Sequence, residues 1–235
     1  MRRPLGARVL GKVRGLAKRR HKPLVDFVVA GAQKSGTSAM NAYLADHPGV
    51  STATTKEVHF FDTDRHFAGL WPDYSHYHSF FGPASAGQRV GEATPVYMYW
   101  EPAPRRMWEY NPDMQVIIML RNPVERAYSH WNMERSLGRE ELPFIDAIRA
   151  ETRRARAVRP NQDKYFAYVD RGLYCAQLRR LSRFFPEDQM LVLRYDDFSS
   201  HPDEALTRVT EFLGIAPLAE LPEKKVYVGR YDAAM

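Results

Sequence analysis

Apolar and polar positions along this chain fall into blocks that switch between strand-like and helix-like periods. Residues 24–30 are apolar apart from Asp26, as in a buried strand, and positions 37–46 fit a helix with Thr37 or Ser38 at its N-cap. The His47-Pro-Gly49 punctuation stops that helix. Val50 to Thr54 reads as a short strand, and the aromatic stretch from Phe67 to Phe81 as a short helix anchored by Tyr74, Tyr77, Phe80 and Phe81. Gln88 to Glu92 forms another strand, closing at Ala93-Thr-Pro95. Helical residues around Arg105 to Tyr110 lead into Met114 to Leu120, the clearest buried strand.

A helix from Val124 to about Leu137 follows Arg121-Asn-Pro123, and another spans Pro143 to Ala157. After a polar loop to about Lys164, the stretch from Leu173 to Phe185 is amphipathic, with Leu178, Leu181 and Phe185 at helical spacing. Met190 to Tyr195 is a strand, and Pro202 to Leu213 a helix ended by Gly214. Strands alternating with helices predict an α/β fold, a central mainly parallel sheet with helices on both faces. No repeat, low-complexity segment or internal linker divides the chain. The expected organisation is a basic arm over residues 1–23 and one domain over 24–235.

Composition leaves that picture standing. The 235 residues suffice for one substantial core, and 44% hydrophobic with 26% charged residues is ordinary for a globular domain. Net charge changes more. The formal value is +6, but residues 1–22 hold nine Lys or Arg and no acid, leaving 25 basic against 28 acidic residues beyond them. The arm is either a solvated leader or a segment making weak contact with anionic membrane surfaces or polymers. The domain has no basic stripe interleaved with aromatics, so nucleic acid is not an expected partner. A single cysteine, Cys175, suits a reducing compartment. No apolar run approaches a membrane span, and no apolar stretch follows the basic N-terminus as in a signal peptide. The expected location is cytoplasmic.

Two segments carry the candidate chemistry. Gly31-Ala-Gln-Lys34-Ser35-Gly36-Thr37-Ser38 joins a strand to a helix, and such a loop offers backbone N–H groups and a helix N-terminus to a phosphate. Its lysine lies two places before Gly36, whereas an ATP or GTP loop has it directly after the second glycine. The second segment runs a strand into Arg121 and a helix bearing Ser129 eight residues on. Arginine at the carboxyl end of a parallel strand sits where open α/β sheets bind ligands, and its planar fork matches phosphate. Either segment alone also reads as a strand–turn–helix corner, the first with a surface lysine and the second with an ion-paired arginine.

Together the segments resemble the 5′- and 3′-phosphate motifs of sulfotransferases that use 3′-phosphoadenosine 5′-phosphosulfate (PAPS). Lys56-Glu57-Val-His59-Phe-Phe-Asp62 is similar to the Lys-Glu-x-x-Phe-Phe loop of the Golgi heparan sulfate branch and its bacterial relatives, and Gly91-Glu-Ala-Thr-Pro-Val-Tyr97 to that branch's next motif. The Tyr174 helix, Leu191 to Asp197 and Phe212-Leu-Gly214 follow in the family's order. The resemblance implies a P-loop-like three-layer fold and transfer of a sulfuryl group from PAPS to a hydroxyl or amine, leaving 3′-phosphoadenosine 5′-phosphate (PAP). The acceptor would be a glycan, a lipid-linked sugar or a small metabolite.

It implies roles as well. Gln33, Lys34, Ser35, Gly36, Thr37 and Ser38 would take the 5′-phosphosulfate, with Lys34 also acting in catalysis. Arg121 and Ser129 would take the 3′-phosphate, with Tyr174, Gly229 and Arg230 completing the nucleotide site. Glu57 matches the general base, suited to the task if partial burial raises its pKa. His59 and Asp62 match positions near the acceptor, and His59 also reads as a packed loop histidine. No metal is required, since Lys34, Arg121 and helix N-termini can neutralise the donor, and no Cys/His ligand set is evident. Many relatives carry a lysine where this chain has Ala93, so a second cation at the acceptor is missing or supplied elsewhere. Members normally continue past the Gly-Arg loop, so the C-terminus is short for the family or incomplete. The rival readings are an ATP- or GTP-dependent P-loop kinase or hydrolase and a non-catalytic module binding anionic polymers.

Overall fold

The computed structural model describes residues 24–160 and 162–218. The basic arm and the Gly229-Arg230 pair therefore lie outside the described residues. Among the described residues five strands form one sheet: β1 (Phe27–Gly31), β2 (Val50–Thr52), β3 (Arg89–Ala93), β4 (Gln115–Leu120) and β5 (Met190–Arg194). Their spatial order is β2-β3-β1-β4-β5, and every neighbouring pair is parallel.

Helices supply the crossovers. They are α1 (Thr37–Ala45), α2 (Tyr74–His78), α3 (Ala103–Tyr110), α4 (Pro123–Ser136), α5 (Phe144–Ala157), α6 (Tyr174–Leu181), α7 (Tyr195–Ser200) and α8 (Pro202–Leu213). The chain builds one side of β1 with β2 and β3, then the other with β4 and β5. The crevice at the carboxyl ends of β1 and β4 is thus the switch point where open sheets bind ligands.

Alternation within the strands divides the core in two. Val28, Val116 and Ile118 pack on one face with Phe60, Phe61, Tyr77, Tyr97 and Tyr110. Phe27, Val29, Ile117 and Met119 pack on the other with Met40, Leu44, Leu193 and Val209. Both faces are covered, which is why β1 and β4 read as continuous apolar runs rather than alternating ones. Gly91 sits opposite Phe27 in the β1–β3 register, and a Cβ there would fall 2.3 Å from the Phe27 ring. A strand glycine marks such a close approach.

The predicted elements occur with shifted ends. The N-cap of α1 is Gly36, at φ 83°, rather than Thr37 or Ser38, which are the first helical residues. The loop turns through the left-handed region at this point, and a Cβ on Gly36 would meet the Tyr195 ring at 2.9 Å. The last strand stops at Arg194, and α7 follows at once, an element the sequence pattern did not announce. The amphipathic stretch from Leu173 is helical only to Leu181, although Phe185 is fully buried beyond it.

Candidate active site

The carboxyl ends of β1 and β4, the 57–62 loop and one face of α4 enclose a cavity of about 570 Å³. One side of it is the loop from β1 into α1. Ala32 N–H donates to Met119 O at 2.8 Å, tying that loop to β4, and Ser35 N–H donates back to Ala32 O at 3.2 Å. No side chain caps α1, whose N-terminal residues Gly36, Thr37 and Ser38 line the cavity with backbone N–H groups left without a capping side chain.

Arg121 leaves the end of β4 and Ser129 faces the same cavity two turns into α4. The chain doubles back between them because Asn122 caps α4, accepting from Val124 N–H at 3.0 Å and Glu125 N–H at 3.4 Å. Arg121 also meets Glu125 at 3.0 Å and lies 4.7 Å from the Tyr195 ring centroid, so the ion-paired corner is real as well. Glu125 is half exposed, and such a pair is weak enough for a phosphate to compete with it.

The 57–62 loop forms a chain of charges. Lys56 Nζ lies 2.6 Å from Ser38 Oγ and 3.4 Å from Glu57 Oε1. Glu57 Oε2 is 3.5 Å from His59 Nε2, and His59 Nδ1 is 3.1 Å from Asp62 Oδ2. Asp62, 1% exposed, then meets Lys164 Nζ at 2.9 Å. Lys164 lines the cavity, so a cation reaches this loop from a segment a hundred residues on.

These contacts correct one expectation. Burial of Glu57 does push its pKa up, but the His59 hydrogen bond and the charges of Lys56 and His59 outweigh it, and the net shift is downward. His59 moves the other way, to about 9, because hydrogen bonds to Asp62 and Glu57 hold its proton against the cost of burial. A histidine with a folded pKa above its ordinary 6.5 adds stability that is complete below pH 6.5 and lost as pH rises through about 9. The difference in melting temperature between the protein and His59→Gln should therefore shrink across that window. A pH-independent difference in thermal denaturation would contradict the assignment.

Backbone strain marks the same place. The non-glycine residues with positive φ among the described residues are Lys34 at 70°, Glu57 at 56° and His59 at 54°, and all three line the cavity. Each costs of order 1–3 kcal/mol, and such strain gathers at functional sites.

Sequence reasoning missed the opposite wall. Arg171 is 3% exposed and lines the cavity, yet its Nε and Nη1 have no hydrogen-bond partner. Its Nη2 donates to Lys164 O at 2.8 Å, and the guanidinium stacks 4.5 Å from the Tyr99 ring centroid. A buried guanidinium with N–H groups to spare suits an anion. Glu134, Arg139 and Tyr195 line the cavity too. Burial raises the Glu134 pKa despite Arg139 at 3.1 Å, and burial together with Arg171 and Arg126 holds His130 neutral. Arg171 stands three residues before Tyr174, but no spacing in the sequence tied it to the candidate phosphate motifs.

Gln33, Lys34, Gly36, Thr37, Ser38, Glu57, His59, Asp62, Arg121 and Ser129 all come together on this one cavity. Two of the expected residues do not line it among those described. Ser35 is fully buried within the loop. Tyr174 donates its hydroxyl to Arg121 O at 2.9 Å and so steadies the end of β4 from outside the cavity.

The family model described as Sulfotransferase domain matches residues 24–227. The chain is 31% identical over 194 residues to the mouse heparan sulfate glucosamine 3-O-sulfotransferase 3B1, covering 83% of this chain and 47% of that protein. It thus spans about half the length of the curated relative. Among solved structures, the sulfotransferase from Alicyclobacillus acidocaldarius superposes with a TM-score of 0.76 at 29% identity, over 88% of this chain and 87% of that one. A mouse sulfotransferase, SULT7A1, crystallised with PAP, shares the fold at a TM-score of 0.54 and 16% identity, over 82% and 60% of the two chains.

Proposed function

We propose that this chain, which belongs to the sulfotransferase domain family, transfers a sulfuryl group from PAPS to a hydroxyl or amine of a glycan or small-molecule acceptor. Membership rests on the match over residues 24–227. The observation that carries the mechanism is the reach of Lys56, whose Nζ contacts both Ser38 of the donor loop and Glu57. Donor loop and carboxylate therefore face each other within one side chain's length.

The residues suit such a donor: a lysine and an arginine on one crevice, a hydroxyl at Ser129 and an uncapped helix N-terminus. PAPS supplies the activated sulfuryl group. Lys34 offers a compact charge to the oxygen that leaves sulfur, and Arg121 with Ser129 would hold the 3′-phosphate. Glu57 accepts the proton of the acceptor hydroxyl. Its lowered pKa keeps it ionised across the neutral range, so its competence comes from being fully deprotonated rather than strongly basic. Protonated His59, held by Asp62, fixes the far side of the carboxylate.

The relative's name specifies heparan sulfate, and a glycan acceptor is part of the proposal on that basis. A cytoplasmic location is proposed with it, supported by the free, exposed Cys175. Among the described residues no helix is long and apolar enough to cross a membrane.

Donor choice is tested by thermal shift. Saturating PAP should raise the melting temperature, because stabilisation at 100 times Kd amounts to about 2.7 kcal/mol, and ATP with Mg²⁺ should not. Stabilisation by ATP with Mg²⁺ alone would favour a kinase-type site.

A further inference from the structure

Glu92 is a carboxylate to which the chemistry above gives no task. It ends up 2% exposed near the carboxyl end of β3, and three hydroxyls donate to it. Tyr77 and Tyr97 reach Oε1 at 2.7 Å and 3.1 Å, and Thr94 reaches Oε2 at 2.6 Å. Burial raises its pKa while those three bonds oppose the rise. A buried carboxylate carries a desolvation cost, so its presence here calls for a reason beyond packing.

Tyr97 is where that carboxylate meets the active-site loop. Its hydroxyl, fully buried, also accepts from Phe60 N–H at 3.0 Å and Phe61 N–H at 3.4 Å. A phenol has one proton to give. With that proton committed to Glu92, the oxygen lone pairs are left to the two amides. Those amides lie between His59 and Asp62, just beyond the two left-handed residues Glu57 and His59. The strained segment is thereby fastened by its Phe60 and Phe61 amides, while Arg106 and Lys164 hold its carbonyls at Phe61 and Asp62. Tyr77 shares the carboxylate, but its hydroxyl is bonded to Glu92 and not to the loop amides, and its ring stacks 4.8 Å from Phe60.

We propose that Glu92 and Tyr97 are positioning residues for sulfuryl transfer, a buried brace that holds residues 57–62 in the arrangement that brings Glu57 into the cavity. The inference rests on Glu57 being the base. The brace itself can be read without that assumption, through amide hydrogen exchange.

The decisive comparison is Tyr97→Phe against Tyr77→Phe, each keeping its ring. Tyr97→Phe should lose protection at Phe60 and Phe61 N–H and lower kcat by about 10²-fold, the scale of a misplaced catalytic group. PAP affinity should hold, and the acid limb of the kcat profile should move up towards the ordinary carboxylate range as the Glu57–His59 contact loosens. Tyr77→Phe should keep that protection and turn over at close to the normal rate. Equal losses of kcat in the two variants, or unchanged protection in Tyr97→Phe, would overturn the brace. Glu57→Gln is assayed beside them. Normal turnover in Glu57→Gln would remove the base assignment, whereas loss there with normal turnover in Tyr97→Phe would remove the brace alone. Should Tyr97→Phe fail to fold, Glu92→Gln takes its place: weakened protection confined to Phe60 and Phe61 supports the brace, and unchanged protection overturns it.

Discussion

Replacing Glu57 by Gln is expected to lower turnover by about 10²–10⁴-fold, the usual contribution of a general base, while PAP affinity stays nearly unchanged. Gln keeps the size and one acceptor of the side chain but cannot take a proton. Donor binding is spared because the cations and N–H groups assigned to the nucleotide lie on the 33–38 loop and around Arg121. Lys56 retains Ser38 as a partner in the variant, so the donor loop keeps its brace at that end. The acid limb of the parent profile should fall below pH 4.5, since His59 and Lys56 together bring Glu57 below its ordinary value despite burial, and it should vanish from the residual activity of the variant. A surface ion pair with Lys56 and nothing more would predict near-normal turnover and a small stability change. Steady-state kinetics and calorimetric PAP binding on the same preparation separate the two.

Arg121→Ala should weaken nucleotides with a 3′-phosphate by about 1.5–3 kcal/mol, the worth of a charge-assisted hydrogen bond, and leave adenosine 5′-phosphosulfate much less affected. The guanidinium is only 17% exposed and is steadied from two sides, by the Tyr195 ring and by Tyr174 acting on its backbone carbonyl. A phosphate bound there would therefore meet a preorganised fork. Its present partner, Glu125, is half exposed on the first turn of α4, so little folding stability depends on the pair. Titration of both nucleotides into wild type and variant gives the answer. An equal loss for the two would mean that Arg121 acts on the 5′ side or on the fold.

Much of this was legible in the residues. The apolar runs of β1 and β4 announced a doubly covered parallel sheet, and the order Lys34-Ser-Gly36 differs from that of a nucleoside triphosphate loop. What the pattern could not carry was three-dimensional. The space at the left-handed cap Gly36 is limited by Tyr195, a residue 159 positions away in sequence. The downward shift of Glu57 depends on the His59 ring and the Lys56 ammonium meeting its carboxylate, which the sequence pattern does not announce. Lys164 and Arg171 sit in a region of turns without periodicity, and only folding brings them beside Asp62 and the donor loop. Tyr174 follows the motifs in order along the chain, but that order does not announce its hydroxyl bond to Arg121 O.

The central claim is sulfuryl transfer from PAPS within the cavity between β1 and β4, and the most direct measurement follows both products of one reaction. The protein is incubated with PAPS and a panel of glycan and small-molecule acceptors, with PAP release and acceptor mass recorded together. The account predicts that at least one acceptor gains a sulfuryl group in step with PAP release, and that both fall together in Glu57→Gln. PAP release without any acceptor gaining mass, or transfer that survives Glu57→Gln at the full rate, would contradict it.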